Sequence, residues 1–137
     1  MIVIDEYLAV AVVLGDLPAG LPDDELVLTA SRHWRLLQRI HAPSGGQLSQ
    51  MLSKLSPGGI DALRYPHPEV LSILDPRPLL DNAASIAANY GGGLLIAETL
   101  AAGLKNGRSL WFGTERNVGA VLAAAANDLD IALQVVN

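Results

Sequence analysis

Met1-Ile2-Val3-Ile4-Asp5 opens the chain, three consecutive β-branched residues followed by a carboxylate. A run that is apolar at every position, rather than at alternate ones, suits a strand covered on both faces, the situation of a parallel sheet between helices. The acid then falls where the strand ends. There it can cap the next helix, or it can face the cleft that open parallel sheets keep at the C-terminal ends of their strands.

Outward from this strand the pattern alternates. Glu6 to Leu14 is apolar enough to be a helix packed on a sheet, and Pro18, Gly20 and Pro22 mark a loop. Glu25 to Thr29 reads as a second strand, and Ser31 as the N-cap of a helix running to about His41, ended by Pro43, Gly45 and Gly46. A helix over Gln47 to Leu55 follows. The next stretch is broken by Pro57, Pro66, Pro68, Pro76 and Pro78 and accommodates one short helix, Ile60 to Arg64. Helices are predicted over Leu79 to Tyr90 and Leu94 to Leu104, with Gly91 to Gly93 as the break between them. Asn106-Gly107 turns into a strand over Ser109 to Phe112, then an Ala-rich helix over Glu115 to Asn127 leads to a last strand, Ile131 to Val136. Strands separated by helices predict an α/β fold, three layers α/β/α around a central parallel sheet of about four strands. No repeat, charged tail or linker divides residues 1–137, so a single domain is expected.

Composition limits the function classes. Half the residues are hydrophobic, 17% are charged and the mean hydropathy is +0.33, which leaves apolar surface to cover and predicts a homodimer. A net charge of -5 argues against a generic electrostatic grip on nucleic acid. The absence of cysteine removes disulfides, thiol nucleophiles and thiolate metal sites, and fits a cytoplasmic location. Asp5 and Glu6 stand where a signal peptide carries positive charge, and the apolar run Leu8 to Leu14 is too short to cross a bilayer, so no membrane association is expected.

Several strings in order resemble a PIN domain, particularly the small toxin ribonucleases of the VapC type. IVID resembles the family's first strand and first acid, and DPRPLLDNAASIAANY, from Asp75, resembles the helix before its third. LLIAETLAAGL, from Leu94, is similar to its apolar helix, SLWFGTER, from Ser109, to the strand ending in its fourth acid, and IALQVV, from Ile131, to its closing strand. The resemblance covers nearly the whole chain. It implies acids at the C-terminal ends of parallel strands holding Mg²⁺ or Mn²⁺, which activate a water and offset charge on the scissile phosphate.

Most of those acids are missing. Asp5 matches the first position, but the second falls at or beside Arg35, with no acid between Glu25 and Asp61. The third aligns with Gly92 or with Leu94, and the fourth with Thr114, where Glu115 adjoins it. Asp5 is thus read first as a helix cap and only second as a metal ligand. Glu115 reads as a first-turn acid favoured by the helix dipole, and Glu98 either as a solvent-facing side chain or as an acid turned toward the same cleft. No metal or other cofactor is expected.

Arg32, Arg35 and Arg39 fall on one helical face with Trp34 between them. They form a solvated face, a surface for RNA phosphate or an acidic partner, or, for Arg35, an internal cation paired with Asp5 in place of the family's metal. His33, His41 and His67 lack metal-ligand spacing, and Gly91-Gly92-Gly93 follows a helix rather than a strand, which suits a helix terminus and not a phosphate loop. Two readings remain. In one the chain is a degenerate PIN-like protein that acts by binding itself, an antitoxin-like protein or RNA. In the other it is an active Mg²⁺- or Mn²⁺-dependent endoribonuclease toxin using Asp5 with Glu98 or Glu115.

Overall fold

In the computed structural model, which describes residues 1–137, five parallel strands form one sheet in the order β3-β2-β1-β4-β5. The opening strand β1 (Ile2–Ile4) is central, between β2 (Leu26–Leu28) and β4 (Ser109–Phe112), and all three of its residues are buried. β3 (Ser72–Ile73) and β5 (Ala132–Val135) are the edges.

Alternation along β1 divides the core. Ile2 and Ile4 pack on one face with Leu8 of α1 (Glu6–Leu14), Leu36 of α2 (Ala30–His41), Leu52 of α3 (Gln47–Ser53) and Leu63 of α4 (Pro57–Arg64). Val3 turns to the other face, onto Ala83 of α5 (Leu80–Tyr90), Leu100 of α6 (Gly93–Lys105) and Leu122 of α7 (Gly119–Asp128). The three layers are therefore helices, sheet, helices, as the sequence predicts. No helix is long and apolar enough to cross a membrane.

Several boundaries differ from expectation for identifiable reasons. The fifth strand lies inside the proline-rich stretch, and its two residues, paired with Val27 and Leu28, are too few to show a period. Pro57 begins α4 instead of breaking it, because proline suits the first helical position and Ser56 caps that turn by accepting from Gly59 N. The N-cap of α2 is Thr29, whose hydroxyl accepts from Arg32 N, and Ser31 lies inside the helix. Glu115–Asn117 is a 3-10 turn, and α7 starts only at Gly119, whose φ of +73° interrupts the helix predicted from Glu115.

The chain moves outward from β1 to β2 and β3, then returns to the other side of β1 for β4 and β5. The strand order thus reverses between β1 and β4, and open α/β sheets bind ligands outside the C-terminal ends of the strands at such a switch point.

Candidate functional site at the strand switch

Asp5 follows β1 and Gly113 follows β4, so the switch point brings together two segments more than a hundred residues apart. Asp5 N donates to Trp111 O at 3.0 Å, extending the ladder by one step. The Asp5 carboxylate then accepts from Leu8 N at 3.0 Å, capping α1, and from Gly113 N at 3.1 Å, all on Oδ1. Gly113 is required by proximity: a Cβ there would lie 2.7 Å from Tyr7 Cβ. Thr114, aligned with the family's fourth acid, is half-buried and follows the Gly113 whose N–H donates to Asp5.

Arg35 does not approach Asp5 in the way the sequence suggested. Its Nη1 pairs with Glu6 Oε2 at 2.8 Å, while the neighbouring Arg32 Nη1 pairs with Glu6 Oε1 at 2.7 Å. Glu6 is the first residue of α1, directed to the buried side, and α2 crosses it so that residues three apart on one face deliver both guanidinium groups. Asp5 is served instead by Asn117, whose Nδ2 donates to Asp5 Oδ2 at 2.9 Å and to Glu6 Oε1 at 3.3 Å while its Oδ1 accepts from Arg35 at 2.7 Å. Asn117 therefore ties both acids and one arginine into a single network.

Arg32 is the deepest member. It is 1% exposed, its Nε donates to Thr99 Oγ1 at 2.7 Å, and its guanidinium lies 5.1 Å from the centroid of the Phe112 ring. Thr99 in turn donates to Leu95 O, so the chain of donors ends on the backbone of α6. Arg32 thus cannot belong to a solvated face. Arg35 keeps a partly exposed side chain, and Arg39 lies farther along α2, bonded to Ser44.

The two adjacent acids titrate in opposite directions. Burial pushes Asp5 up from the ordinary 3.8 to about 6, opposed by its hydrogen bonds to Asn117 and Leu8 N and reinforced by the charge of Glu6. Burial also acts to raise Glu6, but the charge and hydrogen bond of Arg32, with Arg35 behind it, hold its carboxyl below the usual range.

Other predicted residues lie apart from this network. Glu98 is not solvent-facing: it is 2% exposed, and its Oε1 accepts from Ser31 N at 2.9 Å and Ser31 Oγ at 2.8 Å. Glu115 is exposed on the 3-10 turn. Leu94 is exposed beside Trp34, and Gly92, at a φ of +90°, caps α6 where a side chain would meet Ile96 and Val121. Glu6 and Asn117 were missed from sequence. The adjacent acids Asp5-Glu6 were a signal for the first, whereas nothing in GTERN distinguishes Asn117 before the fold places it.

No family model matches the chain, and no curated protein or solved structure matches it either.

The donor set does not fit the divalent cation that the PIN resemblance implies. Mg²⁺ and Mn²⁺ need converging, free carboxylate oxygens. Both Glu6 oxygens are held by guanidinium groups, both Asp5 oxygens by N–H donors, and no three acidic, histidine or cysteine side chains converge. A cation arriving here would meet two fixed positive charges.

Proposed function

We propose that this chain is a PIN-like domain whose switch-point acids have become a structural clasp, and that it acts by binding a protein partner, not by metal-dependent cleavage of RNA. The observation that carries this reading is the pairing of Glu6 with Arg32 and Arg35, which supplies permanent cations beside Asp5. A buried carboxylate with two guanidinium partners is stable only as a unit, so exchanging them for a metal requires dismantling the ends of α1 and α2.

A protein partner is favoured over RNA by the same residues. Of the three α2 arginines that a phosphate backbone would need, Arg32 is buried and Arg35 is tied to Glu6 and Asn117. The net charge of -5 opposes a polyanion further. Exposed Trp34, Tyr65, Val70 and Leu94 supply apolar surface suited to protein contact, whether with a second copy of the chain or with an antitoxin-like protein.

The test is calorimetric titration with Mg²⁺ and Mn²⁺ to millimolar concentration, alongside incubation of the metal-loaded protein with structured RNA. Neither a binding heat in the micromolar range nor cleavage is expected. Micromolar metal binding that disappears in Asp5→Asn, together with metal-dependent cleavage, would establish the endoribonuclease alternative instead.

A further inference from the structure

A second site lies between α2 and the starts of α5 and α6, beside the switch-point network but sharing none of its hydrogen bonds. The first turn of α2, the segment around Pro76 and the starts of α5 and α6 line an open cleft of about 520 Å³. That volume falls in the range of roughly 300–1,000 Å³ typical of small-molecule sites. Its walls are apolar, and three of them are among the most exposed large hydrophobic side chains of the chain: Trp34 at 62%, Leu94 at 57% and Leu80 at 47%. Such exposure in one place is unfavourable unless something covers it.

The polar part of the lining is one buried carboxylate and one hydroxyl. Glu98 is 2% exposed and lines the cleft, and Ser31 gives both its donors, the backbone N–H and the hydroxyl, to Oε1. Oε2 accepts no hydrogen bond from the protein, yet it is not sealed from solvent, so it is an acceptor reachable from the cleft. A largely buried carboxylate with one oxygen unmatched lacks part of its solvation, and a donor carrying positive charge restores most. The nearest arginines do not supply it, because Arg32 and Arg35 are committed to Glu6. Trp34 stands one helical turn beyond Ser31, which sets an exposed indole on the rim of the same cleft. An indole and a carboxylate lining one cleft favour an organic cation over a hydrated metal ion.

We propose that this cleft binds a small organic amine, with its ammonium group on Glu98 Oε2 and its apolar body against Trp34, Leu80 and Leu94. The site uses none of the acids at the switch point, so it does not depend on the Glu6 clasp, and it shares only Trp34 and Leu94 with the apolar surface assigned above to a protein partner.

Calorimetry with three ligands of one skeleton isolates the head group: 3-phenylpropylammonium, 3-phenylpropan-1-ol and 3-phenylpropanoate. The amine is expected to bind with Kd below about 1 mM, at least ~10-fold tighter than the alcohol, and the acid not at all. Glu98→Gln keeps an amide oxygen for Ser31 and removes the charge. It is expected to weaken the amine ~10-fold or more and leave the alcohol unchanged. Equal affinity of amine and alcohol for the unaltered protein overturns the proposal without recourse to any variant, as does amine binding insensitive to Glu98→Gln. Absence of any binding heat for the amine at ~10 mM overturns it too.

Discussion

Asp5 and Glu6 are neighbours in sequence, both buried, and their environments resolve the same electrostatic problem in opposite ways. Glu6 is compensated by two arginines and stays charged. Asp5 receives only neutral donors, so burial prevails and its carboxyl rises to about 6. Because the native state holds that proton more tightly than the unfolded chain, the Asp5 contribution to stability is fully present below pH 3.8 and is lost as pH rises through about 6. Glu6 has the reverse sign: its contribution is present above 4.5 and is lost as pH falls through its depressed pKa. Of these two acids, only Asp5 changes its contribution between pH 5 and pH 7. Urea unfolding should therefore give about 1 kcal/mol more stability at pH 5 than at pH 7, and Asp5→Asn should flatten that difference while keeping a competent helix cap. An unchanged gradient in Asp5→Asn would assign the effect elsewhere.

The Glu6 pair allows a sharper test at the same scale. Arg32→Met strands a buried carboxylate and should cost about 3–5 kcal/mol, whereas Arg35→Ala, at the partly exposed end, should cost about 1–2 kcal/mol. Adding Glu6→Leu to Arg32→Met should recover a large part of the loss, since an apolar pair of similar volume carries no desolvation cost. Additive losses in chemical unfolding would mean that the two residues are not coupled.

Among the elements, α2 organises the most. It carries both partners of Glu6, caps itself through Thr29, and offers its first-turn Ser31 to Glu98 of α6. Cap and cross-link are separable. Thr29→Ala removes the cap of a buried helix start and should cost about 1 kcal/mol, whereas Ser31→Ala leaves Glu98 Oε1 its bond from the backbone N–H and should cost less, about 0.5 kcal/mol. Thermal melts that rank these two variants in the other order would restore Ser31 as the cap predicted from sequence. The β4–α7 connection works by a different device, close approach: Gly113 brings its N–H to Asp5, and the 3-10 turn behind it carries Asn117 inward.

For the whole molecule, the parallel sheet carries helices on both faces, yet Met1, Trp34, Tyr65, Val70 and Leu94 remain well exposed. That surplus, expected from a mean hydropathy of +0.33, motivates self-association. Light scattering at micromolar concentration should report twice the 14.4 kDa chain mass, and a species of 14.4 kDa alone would defeat the expectation.

What the sequence determined by itself is what depends on local pattern. The uninterrupted β-branched run before Asp5, the strand ending in Phe112, the apolar helix after the triple glycine and the loops at Pro18 to Pro22 all report burial and backbone preference, which are properties of short segments. The order of strands and helices then left little choice but a parallel three-layer fold. The two-residue β3 escaped because it has no period to read, and the start of α7 because one glycine at positive φ outweighs an Ala-rich helical pattern. Only the tertiary structure decided who pairs with whom. Arg35 was expected at Asp5 and is found at Glu6, Asn117 joins acids more than a hundred residues away, and Glu98 turns into a cleft instead of solvent. Such pairings follow from the angle at which α2 crosses α1 and from the return of the chain beside β1, and both are set by packing across the sheet, where residues distant in sequence compete for the same few buried partners.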